Sequence, residues 1–180
     1  MTDQHSDQSN RIREKIRDIV DFPKKGILFK DITPVLKDPE TLKLASRLLL
    51  APFETESVDI VAGIESRGFL LGPRLATDLN AGFVPVRKPG KLPADTISET
   101  YQLEYGTDAL ELHADAIKPG DRVIIHDDLM ATGGSARAAS NLIRKLGGTV
   151  VGYSFIVELT FLNGRSQLET DVMIESLVKV

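Results

Sequence analysis

One stretch, VIIHDDLMATGGSARAA (residues 123–139), constrains this chain more than any other. Its apolar, β-branched start reads as a strand buried on both faces, as in a parallel sheet. Two acids, Asp127 and Asp128, come next. A loop is expected over DDLMATGG, and its small-residue turn Ala131, Thr132, Gly133, Gly134 and Ser135 opens a helix over 135–146 that Gly147-Gly148 ends. Open α/β sheets bind ligands at the carboxyl edge of their strands. Glycines there let main-chain N–H groups approach an anion, and the helix N-terminus adds partial positive charge. Thr132 and Ser135 add hydroxyl donors, so the turn is a candidate phosphate site.

The acid pair narrows the ligand. Two carboxylates would repel a bare phosphate. Acids that face hydroxyls or a metal, beside a turn that faces phosphate, suit a sugar phosphate such as ribose 5-phosphate. Other phosphate motifs, GxGxxG and GxxxxGK[ST], are absent. GIESRG misses the serine nucleophile elbow GxSxG by one residue between Gly63 and Ser66, which argues against a serine hydrolase.

Around this stretch, short β-branched runs alternate with helical patterns. Strands are expected at 58–64, 83–86, 122–126, 149–159 and the C-terminus. Helices are expected from the Asp38-Pro39 cap to about Leu50, with Leu42, Ala45 and Leu49 on one stripe, and over 66–79, with Pro73 kinking the helix or near its start. This alternation predicts an α/β fold with a mainly parallel sheet flanked by helices. Residues 1–8 read as disordered. Ile12, Ile16 and Ile19 read as one face of a short helix. Residues 87–106, with little apolar periodicity, read as a long excursion that could serve as a lid.

The chain's 180 residues suit one domain, 1–180, with an N-terminal arm and hood at about 1–34 and a core at about 35–180. A net charge of −4 argues against nonspecific nucleic-acid binding, and no run approaches a membrane span. With no cysteine there is no thiolate metal site and no disulfide framework. No apolar leader precedes residue 10, so a cytoplasmic location is expected.

HDDLMATGGSA resembles the phosphoribosyl-diphosphate motif of the type I phosphoribosyltransferases. DFPKKGILFKDITPVLKDP, GIESRGFLLGP, VPVRKPGKLP, YQLEYGTDALELH and FLNGR all resemble segments of the adenine phosphoribosyltransferase family, in order, over roughly residues 21–165. The resemblance implies the type I fold, with a small N-terminal hood and a flexible loop at about 89–106. It implies transfer of phosphoribose from 5-phosphoribosyl 1-diphosphate to adenine, giving AMP and pyrophosphate with Mg²⁺, in a homodimer.

It also implies residue roles. Asp127 and Asp128 would hold the ribose hydroxyls, and Ala131, Thr132, Gly133, Gly134 and Ser135 the 5-phosphate. Arg67, Arg87, Lys88 and Lys91 would meet the pyrophosphate. Leu28, Phe29 and Lys30 would form the adenine pocket, and Glu104 would lie near the reacting base. No direct metal ligand is assigned; the ion would travel with pyrophosphate and ribose. His126 stands where the family pattern leads one to expect an apolar strand residue. Transfer to hypoxanthine, guanine or xanthine, or a regulator that senses the sugar diphosphate without turnover, are the competing readings. The second would need an effector domain for which the chain has no room.

Overall fold

The computed structural model describes residues 2–102 and 106–180. The chain opens with α1 (Thr2–Arg13), then β1 (Arg17–Val20) and β2 (Leu28–Asp31), an antiparallel hairpin. The expected helix through Ile19 and, over residues 2–8, the expected disorder of residues 1–8 are both corrected here. Ile12 inserts fully into the core in the last turn of α1, while Arg17 and Asp18 pair across the hairpin with Asp31 and Lys30. Nonlocal pairing overrides the local period at Ile16 and Ile19. Once Ile12 anchors the helix, each added turn costs little, so the polar residues before it join α1.

α2 (Thr33–Lys37) leads to α3 (Pro39–Leu50). As expected, Asp38 caps α3: its carboxylate accepts from the Glu40 and Thr41 amides at 3.0 Å each. Ala45, Leu48 and Leu49 are buried from this helix, and Leu42 is half-buried at the margin of the stripe. β3 (Ile60–Ile64), α4 (Gly68–Asp78) and β4 (Gly82–Val86) form the first parallel unit, with Pro73 inside α4.

β5 (Thr96–Gln102) and β6 (Thr107–His113) pair antiparallel, from Thr96 opposite His113 to Gln102 opposite Thr107. Part of the expected loop at 89–106 is therefore a strand, held by a partner that local periodicity does not reveal. β7 (Arg122–Met130), α5 (Gly134–Lys145) and β8 (Thr149–Glu158) form the second parallel unit, and β9 (Met173–Lys179) closes the sheet.

The strand expected to stop at His126 continues through Met130. Asp127, Leu129 and Met130 pair with Phe155, Val157 and Glu158 of β8, so only Ala131 onward forms the loop.

The five-stranded sheet is parallel throughout, in the order β4-β3-β7-β8-β9. Adjacent residues point to opposite faces. Ile125 joins α5, Leu110 and Leu112 on one face, while Ile124 joins α4 and Phe53 on the other. Leu142 and Ile143 of α5 are fully buried, each contributing about 1.5–3 kcal/mol relative to exposure. Among the described residues, no helix is long and apolar enough to cross a membrane.

Candidate sugar-phosphate and diphosphate site

The chain leaves β3 through α4 to β4 on one side, then returns to β7, β8 and β9 on the other. The sheet order therefore reverses between β3 and β7. At such a switch point the loops part and leave a crevice at the carboxyl ends of the strands. The loop after β3 brings Glu65 and Arg67 there, and the end of β7 brings Asp127 and Asp128.

The phosphate turn runs from Ala131 to Ser135, with α5 starting at Gly134. Gly133 is its N-cap at φ +82, a left-handed conformation that costs glycine little, and it supplies no side-chain cap. α3 fills its own first-turn N–H groups with the Asp38 carboxylate; α5 leaves that place to main-chain N–H groups alone. Those amides, with the helix dipole behind them, suit a phosphate. Thr132 and Gly134 line an adjoining cleft of about 510 Å³ with Arg137, Asn163 and Gln167. Sequence reasoning passed over Arg137; its place three residues after Gly134 on one helix face was the available signal.

The acid pair splits across the strand. Asp128 is 3% exposed and accepts from Arg67 Nε at 2.5 Å. Asp127 accepts from the Asp128 amide at 2.8 Å. Desolvation, and then the charge of Asp128, push the Asp127 carboxyl well above the ordinary carboxylate range, with Arg67 acting against them. α4 starts close against this strand: a Cβ on Gly68 would fall 2.6 Å from the His126 carbonyl oxygen.

Arg87, Lys88 and Lys91 gather around carboxylates that the sequence reading left out. Glu65 accepts from Lys91 Nζ at 2.9 Å, from the Lys88 amide at 2.9 Å and from Arg87 Nε at 3.2 Å. Burial alone would raise the Glu65 carboxyl, but these three donors hold it down to about 2. Lys88 Nζ pairs with Asp108 and lies 2.9 Å from the Tyr101 hydroxyl. Thus each cation of the group has a carboxylate partner. Glu65 lay inside the quoted GIESRG segment; Asp108 and Tyr101 are brought in by the β5–β6 hairpin.

Phe29 of the hood lies under the Arg67 guanidinium, 5.0 Å from ring centroid to Cζ, and meets Phe22 edge-on. Asp128, Arg67 and Phe29 therefore form one chain from the end of β7 to the β1–β2 hairpin. Leu28 and Lys30 alternate to the other face of β2: Leu28 is 47% exposed and Lys30 pairs with Asp18 at 2.7 Å. Glu104 lies outside the described residues. Gly134, at the start of α5, is overlain by β5, so that a Cβ there would meet the Gln102 carbonyl oxygen at 3.2 Å.

His126 is fully buried on β7. Its Nδ1 faces the Ser154 carbonyl at 3.1 Å, which can only accept, so Nδ1 carries the proton. Nε2 has no hydrogen-bond partner among the described residues. Burial pushes this imidazole down to about 4. A neutral ring held by its neighbouring strand does not titrate near neutral pH.

An acid pair and an uncapped helix N-terminus at the switch point of a parallel sheet define a sugar-phosphate-binding α/β domain. Residues 32–172 match the family model described as the phosphoribosyl transferase domain. The adenine phosphoribosyltransferase of Flavobacterium johnsoniae is 56% identical over 159 residues, covering 88% of this chain and 94% of that one. The crystal structure of the adenine phosphoribosyltransferase from Rhodothermus marinus superposes with a TM-score of 0.94 at 54% identity, over 97% of this chain and 99% of that one. The Saccharomyces cerevisiae enzyme, crystallised with adenine and an imino-altritol bisphosphate, superposes at 0.89 with 40% identity, over 96% and 99%. This chain belongs to the adenine phosphoribosyltransferase family.

Proposed function

We propose that this chain transfers the phosphoribosyl group of 5-phosphoribosyl 1-diphosphate to adenine, giving AMP and pyrophosphate, as a step of purine salvage. The observation that carries the reading is the juxtaposition of Asp127 and Asp128 with the uncapped N-terminus of α5. The turn Ala131–Ser135 takes the 5-phosphate, and the acids take the ribose hydroxyls. Breakage of the anomeric C–O bond sends its electron pair to the departing pyrophosphate and leaves positive charge on the sugar. The negative charge of the Asp127–Asp128 pair favours that charge where it develops. Arg67, Arg87, Lys88 and Lys91 favour the negative charge on the diphosphate, which must share these cations with Glu65, Asp108 and Asp128.

A ring nitrogen of adenine forms the new bond to the anomeric carbon, and Glu104 takes the proton it loses. Phe29 offers the hood's aromatic face to the base.

Mg²⁺ fits the donor set. The described residues bring no three His, Asp or Glu side chains together, which suits an ion whose ligands are mainly diphosphate and ribose oxygens. Asp127 and Asp128 would be the residues that help hold it, and it would supply neutralisation of charge on the leaving group. The segment 89–106 acts as a lid that excludes water from the activated sugar. Under the same reading the chain works in the cytoplasm as a homodimer.

The test is an assay of the purified chain with Mg²⁺ and 5-phosphoribosyl 1-diphosphate. Pyrophosphate release should depend on adenine and be much slower with hypoxanthine, guanine or xanthine. Equal rates with all four bases, or none with adenine, would reject the assignment.

A further inference from the structure

The segment after β8 packs on the turn at 131–135. It runs as two 3-10 turns, Thr160–Leu162 and Gly164–Gln167, joined at Asn163 with φ +51. Gly164 is buried against the phosphate turn, backbone on backbone. A Cβ on Gly164 would fall 2.3 Å from the Ala131 carbonyl oxygen and 3.1 Å from the Gly133 amide nitrogen. Reciprocally, a Cβ on Gly133 would fall 2.4 Å from the Gly164 carbonyl oxygen. Gly164 is not in the left-handed region, so an alanine there meets an obstacle in space and none in its own backbone.

The next residue pins this contact to the sheet. Arg165 Nε and Nη2 donate to the two oxygens of Glu158 at 2.7 and 2.8 Å. Its Nη1 donates to the Ile174 carbonyl at 3.2 Å. The Glu158 side chain is 6% exposed and that of Arg165 36%, so the carboxylate is shielded while the guanidinium reaches the surface. A bidentate guanidinium–carboxylate pair sets orientation as well as distance. Glu158 is the residue paired with Met130, and the Leu159 amide donates to the Met130 carbonyl at 2.9 Å. A closed circuit results: the end of β7, the phosphate turn, Gly164, Arg165, Glu158, and back to the end of β7. Outside it, Gln167 Oε1 accepts from Arg137 Nη1 at 2.7 Å and ties the same segment to α5.

A turn of small residues has many conformations in isolation, and an anion site built from its amides binds well only if those amides are held in place beforehand. We propose that Gly164 and the Arg165–Glu158 pair are positioning residues that brace turn 131–135 in the geometry that receives the sugar's 5-phosphate. The proposal rests on the phosphoribosyl-transfer reading for its substrate and on the backbone contact for its mechanism.

The test uses full-length Gly164→Ala, Arg165→Met and Arg165→Lys. Each is measured for kcat, for KM of each substrate separately, for ribose 5-phosphate affinity by calorimetry and for thermal midpoint. Gly164→Ala should raise KM for 5-phosphoribosyl 1-diphosphate and Kd for ribose 5-phosphate in parallel, by about 10–100-fold. KM for adenine should stay within about twofold. Arg165→Met should show the same selective change, and Arg165→Lys a smaller one, because lysine keeps the charge and loses the fork. A lower midpoint with both KM values unchanged, or a rise shared equally by both substrates, would overturn the brace. If Gly164→Ala does not fold, Arg165→Lys decides by the same criterion. Weakened ribose 5-phosphate binding in a chain that makes no AMP even as wild type would sink the transfer reading and leave the brace standing.

Discussion

The two halves of the site are built from different material. The phosphate turn is main chain: amides of residues 131–135, Gly133 at φ +82, and a helix whose first turn lacks a side-chain cap. The diphosphate side is made of side chains: Glu65 among Arg87, Lys88 and Lys91, and Lys88 against Asp108, all at least partly open to water. Main-chain amides fixed by the fold cannot swing to other partners. Partly exposed ion pairs can, since a paired cation in water gives up little on changing carboxylate for phosphate. The difference suits the chemistry, because the 5-phosphate stays bound through the reaction while the diphosphate must leave.

The largest effect expected lies at the junction of the halves. Asp127→Asn with Asp128→Asn should lower kcat/KM for the sugar diphosphate on the order of 10²–10³-fold, the size seen on removing a fixed electrostatic partner. Unchanged ribose 5-phosphate affinity in titration would put the sugar elsewhere.

The rigidity of the β7 side has a pH signature. His126 titrates near 6.5 unfolded and at about 4 folded, so as pH falls from about 6.5 to about 4 the unfolded chain takes up a proton that the folded one refuses. This residue should therefore remove on the order of 2–3 kcal/mol of stability across that window. Asp127, raised in the folded state, acts with the opposite sign: its share of stability shrinks as pH rises through its folded value. Denaturant melts of wild type and His126→Asn at several pH values read the histidine's part, and identical slopes would rule it out.

On the exchangeable side, Lys91→Ala should raise KM for the sugar diphosphate about tenfold at low ionic strength and less in salt. A loss unaffected by salt would mean that Lys91 is not a solvent-screened contact. Smallest of all, replacing residues 92–95 with glycines should raise hydrolysis relative to transfer by roughly fivefold. An unchanged ratio would remove the lid from the account.

Local chemistry made the phosphate turn legible. A β-branched run bounded by turn residues favours a buried strand, Gly133-Gly134 favours a close turn into a helix, and Asp38-Pro39 marks a helix start, because each preference acts within a few residues. The same reasoning failed where a distant partner decides. Ile16 and Ile19 carried a helical period, yet β2 draws Ile19 into a hairpin. Asp127 to Met130 looked like loop, yet β8 extends the strand through them. Thr96–Gln102 had no period of its own and became a strand against β6.

By itself, then, the order of residues determined the alternating elements, the glycine turn and the acids beside it, all properties of short contiguous segments. Only the tertiary structure decided that Glu65 and Asp108 hold the cations, that Arg67 joins Asp128 to Phe29, and that Gly164 lies against the Ala131 carbonyl. Those contacts join residues far apart in the chain, and their geometry is set by how sheet, helices and hairpins pack, which no local preference encodes.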